Sequence, residues 1–304
     1  MGNYEFIDLS VSDHVAMVNL NRPKVMNALN WQMYSELEDC FLSIQKDPNV
    51  RSVVLTGQGR AFCSGDDVKE IMAQGGGSDR LQSVRPGTTP AAKAILDCDR
   101  PIVAAVNGPA VGWGMDLSLM ADFRIASDRA SFGELFVKRG LVADVGGLVR
   151  LPKIVGPQRA SESLFTGEVI SAERALAIGL IMEVVSHDKL LDSATALANK
   201  IAENPPLAVR YLKEGLRRSF YGDYDEMGNW IAQTLGILFK TKDHQEGVAS
   251  FLEKRSPVFS GECEAATKPR CHRVRGSECP LRATGCRSFS LRWFHPLERA
   301  SERA

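Results

Sequence analysis

Apolar and polar positions follow two different periods along this 304-residue chain. Residues 6–11 and 15–20 are short and rich in β-forming side chains, which predicts two strands joined by a turn. Continuous apolar runs at 52–56 and 101–106 are typical of strands that are covered on both faces. Strands of the second kind need helices on both sides of their sheet.

The segment 29–46 has the helical period instead, with an apolar stripe that recurs every three to four residues behind the N-cap candidate Asn30. Shorter helices are predicted at 68–73, 91–96, 115–120 and 171–178, and further strands at 123–126 and 181–185. From residue 189 onward only helical patterns occur, at 189–203, 206–220, 224–240 and 243–254.

The alternation of short strands with helices indicates an α/β fold with covered sheets, followed by an all-helical C-terminal region. We therefore divide the chain into a strand-and-helix core, 1–187, a helical region, 188–260, and a tail, 261–304. Apolar residues in the helices of 206–254 exceed what a short helical region can cover, which favours self-association. The tail is basic, contains four cysteines and shows no period, so we expect it to be disordered.

Charge and composition exclude several classes of protein. The chain has 37 basic and 37 acidic residues, so no net field draws it to nucleic acid or to a membrane surface. No apolar run reaches the length of a membrane span, and we expect a cytoplasmic protein. The cysteines of the tail lack the close pairs of structural zinc sites, so no metal is expected. Cys40, Cys63 and Cys98 have apolar neighbours and are expected to be buried thiols.

Two segments share one pattern, VVLTGQGRAFCSGDDV and IVAAVNGPAVGWGMDL. Each has a buried strand, a glycine-rich turn, an acidic residue and the start of a helix. Such turns direct backbone N–H groups outward, and two of them together can form an oxyanion hole for a carbonyl oxygen that gains charge. The chain has no dinucleotide fingerprint, P-loop, nucleophile elbow or zinc-binding helix motif that would favour another chemistry.

Six segments in order resemble the crotonase superfamily, the enoyl-CoA hydratase/isomerase family. They are NRPKVMNAL, AFCSGDDVKE, RPIVAAVNGPAVGWGMDLSLMADFRIAS, LPKIVGPQRASE, TGEVISAERALAIGL and EGVASFLEKR, and the resemblance covers about residues 3–259. It implies a spiral of ββα units whose helical C-terminal region makes trimer contacts, often in a dimer of trimers. It also implies an acyl-CoA substrate in fatty acid metabolism, with coenzyme A as part of the substrate and no separate cofactor.

The resemblance assigns the two oxyanion-hole N–H groups to the backbone of Asp66 and Trp113. A backbone donor does not depend on its side chain, although the Trp113 ring is expected to narrow or reshape the pocket unless it is simply a core aromatic. The substrate-binding residues carried over from the family pattern are Gly65, Gly112, Phe136 and Arg22.

The acidic residues distinguish the reactions within the family. Its hydratase pattern has one Glu where this chain has Asp116, and a second Glu where this chain has Phe136. Hydration benefits from two carboxylates that orient water and move its proton, and Phe136 supplies none. Glu134, two residues earlier, can replace the missing acid if this stretch is extended. Asp116 alternatively does no more than complement the dipole of its helix.

A further acid, Asp144, precedes a glycine pair in the stretch GLVADVGGL. Family members that carry their acting carboxylate at this position include dienoyl-CoA and Δ3,Δ2-enoyl-CoA isomerases. A single carboxylate beside a polarised thioester suits 1,3-proton transfer, so the sequence favours double-bond isomerisation over hydration. The alternative role of Asp144 is to cap the following helix.

Two other classes of function stay open at this point. One is different thioester chemistry, such as hydrolysis or dehalogenation with Asp144 as the nucleophile. The other is a non-catalytic or RNA-binding relative. The RNA-binding member of the superfamily has a lysine-rich first helix, whereas the helix here, LNWQMYSELEDCFLSIQK, is more acidic than basic.

Overall fold

The computed structural model describes residues 4–72, 89–143 and 145–262. These residues belong to one structural unit, Met1–Ala265. Asp144 and the part of the tail from residue 263 onward lie outside the described residues.

Six strands of the described chain form the main sheet. They are β1 (Ile7–Ser12), β2 (Val15–Leu20), β3 (Ser52–Gly57), β4 (Ile102–Val106), β6 (Phe123–Ser127) and β9 (Glu183–Val185). Their order is β1-β2-β3-β4-β6-β9; β1 and β2 are antiparallel, and every later pair is parallel. Strands β3 and β4 are buried along their whole length, as their continuous apolar runs predict.

A second, smaller sheet lies beside the first and has three strands within the described residues. These strands are β5 (Pro109–Val111), β7 (Ser131–Gly133) and β8 (Ile170–Ser171), in the order β5-β7-β8. The sequence predicts a turn where β5 lies and predicts no strand at β7. Both strands are only three residues long, too short to show a period of their own.

The helices of the described chain cover the sheets and form the C-terminal region. They are α1 (Trp31–Lys46), α2 (Pro90–Asp97), α3 (Trp113–Met120), α4 (Gly147–Thr166), α5 (Ala172–Ala177), α6 (Leu190–Ala202), α7 (Pro206–Ser219), α8 (Tyr224–Leu238) and α9 (Lys242–Glu253). The predicted helix 68–73 is a short π-helical turn, Val68–Met72. Helix α3 begins two residues before its predicted start at 115, because Gly112 already acts as its N-cap.

Helix α1 begins as its sequence predicts. The side chain of Asn30 accepts a hydrogen bond of 3.0 Å from the backbone N–H of Met33, which satisfies one of the unpaired donors of the first turn. The buried side of α1, with Leu37 and Phe41, belongs to the larger hydrophobic core on one face of the main sheet.

The opposite face of the main sheet is covered by α6. Leu190, Ala194 and Ala198 recur every four residues along this helix and pack in one cluster with Val54 and Val103. Neighbouring residues of one strand therefore serve two cores, since successive side chains of a strand point to opposite faces. This double covering fixes the carboxyl ends of β3 and β4, from which both glycine-rich turns leave.

Candidate functional site

The two glycine-rich turns lie side by side. The backbone N–H of Cys63 donates to the carbonyl of Pro109, and the N–H of Val111 donates to the carbonyl of Cys63, both at 3.1 Å. These bonds form a parallel bridge between Cys63 and Ala110. The turns that follow β3 and β4 therefore converge, as an oxyanion hole requires.

Glycine is needed at two points of this convergence. A Cβ atom on Gly114 would clash with the carbonyl of Cys63. Gly65 has φ of +89°, and a Cβ atom built on it would lie 3.3 Å from the backbone nitrogen of Trp113. The absence of side chains at these positions lets the two turns approach to backbone contact.

The first turn is held from its other side by Leu29. The N–H of Leu29 donates to the carbonyl of Gly65, and the N–H of Asp67 donates to the carbonyl of Leu29, both at 2.8 Å. Successive N–H groups of extended backbone point to opposite sides. The N–H of Asp66 is therefore directed away from Leu29.

The second turn ends at the N-terminus of α3. Gly112 is the N-cap, with φ of +55°, and Trp113 is the first helical residue. The N–H groups of a first helical turn have no acceptor within their helix, and the helix dipole adds positive potential there. With the N–H of Asp66, this helix start can bind an oxygen atom that gains negative charge.

A cavity of about 380 Å³ lies against these turns. Its wall includes Gly65, Asp66, Gly112, Trp113 and Phe136, five of the residues that the sequence assigns to the site. The rest of the wall is formed by Val25, Met26, Ala28, Ser64, Asp67, Val68, Lys69, Leu135, Arg139 and Leu141.

Arg22, also predicted to bind substrate, does not line this cavity. Its guanidinium donates to the carbonyl of Ala28 at 2.5 Å and forms an ion pair of 3.3 Å with Asp67. The same group lies 4.9 Å from the centre of the Phe6 ring. In this structure Arg22 ties the loop before α1 to the first glycine-rich turn.

Asp116 and Glu134 bring two carboxylates into one buried space. Asp116 lies one turn into α3, about 4.5 Å along the helix from Trp113, and Glu134 directly follows β7. Each residue is only 1% exposed. A Cβ atom on Gly147 would lie 2.9 Å from Glu134 Oε1 and closer still to Asp116 Oδ1, so both oxygens face the same backbone position.

The structure brings Glu134, which the sequence offers as a replacement for the acid missing at position 136, close to Asp116. The short strand β7 makes the preceding backbone extended, and the N–H of Gly112 donates to the carbonyl of Gly133 at 2.8 Å. This bond places the chain before Glu134 against the start of α3. No local pattern in the stretch SFGE indicates it, because the extended backbone of β7 follows from its pairing with β5. Phe136 lies in the 3₁₀ turn that follows and contributes its apolar side chain to the cavity wall.

Trp113 is both a buried aromatic and part of the cavity wall. Its side chain is 2% exposed. The Tyr34 ring of α1 meets it edge to face, with a centroid distance of 5.2 Å and an interplanar angle of 87°. The hydroxyl of Tyr34 donates to Asp66 Oδ1. Tyr34, which the sequence analysis does not single out, therefore touches both turns.

The three cysteines of the described core are buried and form no disulfide. Burial raises the pKa of the Cys63 thiol to about 12, so it stays protonated beside the first turn. No group of three His, Cys, Asp or Glu side chains among the described residues could hold a metal ion. Within the same residues, no helix has the length and apolar character needed to cross a membrane.

Comparison with known proteins places this site in a family. The sequence model described as "Enoyl-CoA hydratase/isomerase" matches residues 10–262. The chain is 35% identical to crotonyl-CoA hydratase of Syntrophomonas wolfei over 257 residues, which are 84% of this chain and 98% of that protein. It is 34% identical to 1,2-epoxyphenylacetyl-CoA isomerase of Escherichia coli over 260 residues, 85% of this chain and 99% of that protein.

The fold has equally clear counterparts among solved structures. The crystal structure of enoyl-CoA hydratase from Bacillus anthracis superposes with a TM-score of 0.78 at 35% sequence identity. That match covers 85% of this chain and 100% of the other.

Proposed function

The chain belongs to the enoyl-CoA hydratase/isomerase family, and we propose that it adds water across the double bond of an enoyl-CoA thioester. The observation that carries this choice within the family is the pair of buried carboxylates, Asp116 and Glu134, that face Gly147. The enzyme is thus a lyase of the crotonase fold that acts on acyl-CoA.

In this proposal the thioester oxygen binds between the backbone N–H groups of Asp66 and Trp113. Negative charge develops on that oxygen when water attacks the β-carbon, and fixed donors stabilise it without reorganisation. Gly65, Gly112 and Phe136 form the wall around the acyl group, as the cavity supports. Coenzyme A is part of the substrate, and the mechanism uses no further cofactor.

The two carboxylates orient and activate the water. One accepts a proton from the water as its oxygen attacks, and the other donates a proton to the α-carbon as the enolate collapses. Glu134 takes the part that the missing Glu at position 136 has in the hydratase pattern. Asp116 is held one helical turn from Trp113, so one of the acids and one of the oxyanion donors share a rigid element.

Double-bond isomerisation is the second candidate, favoured by Asp144 in the sequence. In this case Asp144 removes a proton from one carbon and returns it to another, and the oxyanion hole stabilises the dienolate between the steps. The family model that matches this chain is described for both hydratase and isomerase, which supports keeping both reactions in the test.

One substrate panel separates these reactions. Purified protein is incubated with 2-enoyl-, 3-enoyl-, dienoyl- and saturated acyl-CoA, and the products are identified by mass and by chromatographic comparison with authentic double-bond isomers. Hydration predicts a gain of 18 mass units on the 2-enoyl thioester, and isomerisation predicts a moved double bond without a change of mass. Release of free coenzyme A would favour hydrolysis with Asp144 as the nucleophile, and inertness toward all four would favour a non-catalytic relative.

We also propose that the helical region 188–260 mediates self-association as a trimer or a dimer of trimers. Leu212 and Leu216 are each 67% exposed, and Ile231 and Leu235 on the next helix are 47% and 46% exposed. Trp230 is half-buried and its ring packs against Gly215. Covering one such large apolar side chain is worth about 1.5–3 kcal/mol, which favours a partner surface.

Light scattering at micromolar concentration tests this assembly. We expect a trimer or hexamer, and Leu212→Glu with Leu216→Glu should shift it toward smaller species. A wild-type chain that stays monomeric would contradict the proposal. The cytoplasm and fatty acid metabolism are the setting that we propose for this activity.

A further inference from the structure

We propose that Tyr34 is a positioning residue that sets the separation of the two backbone donors of the oxyanion hole. This inference rests on the function proposed above, because it concerns how that hole is held. Tyr34 lies on α1, outside both glycine-rich turns, and does not line the cavity. It therefore acts through Asp66 and Trp113 and does not contact the reacting atoms.

The contacts of Tyr34 reach each half of the hole. Its hydroxyl donates to the carboxylate of Asp66, the residue that supplies the first donor. Its ring meets the Trp113 ring edge to face at 5.2 Å, and Trp113 supplies the second donor. A single side chain, 8% exposed, thus connects the two residues whose N–H groups must point at one oxygen atom.

The side chain of Asp66 creates a need for this contact. A carboxylate lies in the cavity wall beside a site that must stabilise a developing negative charge. Like charges repel, and the repulsion is stronger in a partly buried site than in water. The hydroxyl of Tyr34 binds one carboxylate oxygen and restrains the side chain on the α1 side of the turn.

Trp113 has a corresponding need. Its large ring is attached to the first residue of α3, so a contact that holds the ring also restrains the backbone that carries its N–H. An edge-to-face contact favours one orientation and is worth about 0.5–1.5 kcal/mol beyond burial. The turns themselves are secured by backbone bonds of Leu29 and Pro109, so the fold does not depend on the Tyr34 hydroxyl.

The test compares Tyr34→Phe with a control variant that loses an equivalent tyrosine hydroxyl elsewhere in the protein. Tyr4→Phe also removes a tyrosine hydroxyl that donates to an aspartate of α1, Asp39, at 3.0 Å, but at a position away from the cavity. Both variants are assayed for turnover of the 2-enoyl-CoA that the wild-type protein hydrates. The polarisation of a bound thioester is measured by the red shift of cinnamoyl-CoA absorption.

We expect Tyr34→Phe to lower kcat about tenfold with little change in KM, because a small misalignment of donors mainly affects the transition state. The red shift should shrink in parallel, whereas Tyr4→Phe should keep both values. Tyr34→Leu, which also removes the ring contact, should lower kcat further. Thermal unfolding of the variants verifies that each is folded.

A double-mutant cycle with Asp66→Ala tests the route of the effect, since alanine keeps the backbone donor. In the Asp66→Ala background, Tyr34→Phe should have no further effect on kcat or on the red shift. An undiminished shift in Tyr34→Phe, or equal effects in both backgrounds, would overturn the inference. A wild-type protein that neither turns over nor polarises any acyl-CoA would instead overturn the proposed function.

Discussion

Asp116 Oδ1 and Glu134 Oε1 face the same hydrogen of Gly147, although the two acids belong to different elements and are separated by 18 positions in the chain. Neither side chain reaches solvent to any extent, and both lie next to residues of the cavity wall. Two carboxylates in so small a space can serve as the base and the acid of one reaction, which is what the proposed hydration requires.

Removal of either carboxylate should therefore abolish most hydration. We expect Glu134→Gln and Asp116→Asn each to lower kcat by about 10²–10⁴-fold, the usual contribution of a general acid or base. The amides preserve shape, so acyl-CoA binding, measured by titration calorimetry, should change little. The double variant should be no slower than the worse single variant. Glu168→Gln on the exposed surface is the control.

The variant Asp144→Asn distinguishes isomerisation by Asp144 from hydration by Asp116 and Glu134. If Asp144 moves the proton, this variant should lose most of the turnover of a 3-enoyl-CoA and keep its binding, while Asp116→Asn costs less. Rates of all three acid variants on the same substrate provide the ranking. Normal isomerisation by Asp144→Asn together with an inactive Asp116→Asn would contradict this hypothesis and support the hydratase.

Gly147→Ala tests whether the space between the acids is required. The added methyl group would lie 3.0 Å from the Cβ of Ala143 and closer still to carboxylate oxygens of Glu134 and Asp116. The carboxylates must therefore move. We expect a loss of about 1–3 kcal/mol in the free energy of unfolding, typical of overpacking, and a larger loss of activity. Denaturant unfolding and kcat are measured together. Gly228→Ala, where no atom lies near the added methyl group, is the matched control.

The end of the folded chain can be located by truncation. The N–H groups of Ser260 and Gly261 donate to the carboxylate of Asp243, which is 3% exposed, and the carbonyl of Glu262 accepts from the N–H of Lys242. A chain that stops after Glu262 should unfold at the wild-type temperature.

A chain that stops after residue 259 leaves the carboxylate of Asp243 without these donors. It should lose about 1–3 kcal/mol, the usual cost of an unsatisfied buried group. Equal stability of the two truncated chains would contradict this role of Asp243, and a large loss in the longer one would give the tail a structural part.

Acid should weaken the attachment of the same segment through Glu246. Two hydrogen bonds from Arg255, and one from the N–H of Val258, lower the pKa of this carboxyl from 4.5 to about 2. A lowered pKa contributes stability above pH 4.5 that is lost as the pH falls toward 2. Glu246→Gln should therefore unfold at a lower temperature than wild type at pH 7, with a difference that shrinks below pH 4.5.

The sequence predicts the fold where local patterns are long. Helix α1 begins after Asn30 as the cap and the apolar stripe indicate, and the helices of the C-terminal region lie within two residues of their predicted bounds. It fails at β5 and β7, because three-residue strands are specified by their partners and not by their own pattern. It also gives no bounds for α4, where Pro152, Pro157 and the kink at Gly156 interrupt the helical period.

The same limit applies to the candidate site. The glycine-rich turns and Asp116 follow from motifs, but the approach of Glu134 to Gly147 depends on how β7 pairs and where α4 begins. The contacts of Tyr34 cannot be predicted from the sequence, because an aromatic residue beside the apolar stripe of α1 looks like an ordinary core residue. The partner of its hydroxyl, Asp66, is 32 residues away, so no local pattern indicates the hydrogen bond. That Arg22 binds the substrate stays a prediction, because the contacts of its guanidinium in this structure are with Ala28 and Asp67 of the protein itself.

The bonds that hold the two turns in place connect backbone to backbone, at Leu29 with Gly65, at Cys63 with Pro109 and at Gly112 with Gly133. None of them uses an acidic side chain. Mutation can therefore exchange, add or delete acids around Gly147 while the backbone bonds of the two turns persist. Because the acidic side chains and these backbone bonds are independent of one another, a change of one or two side chains can alter the reaction without altering the turns.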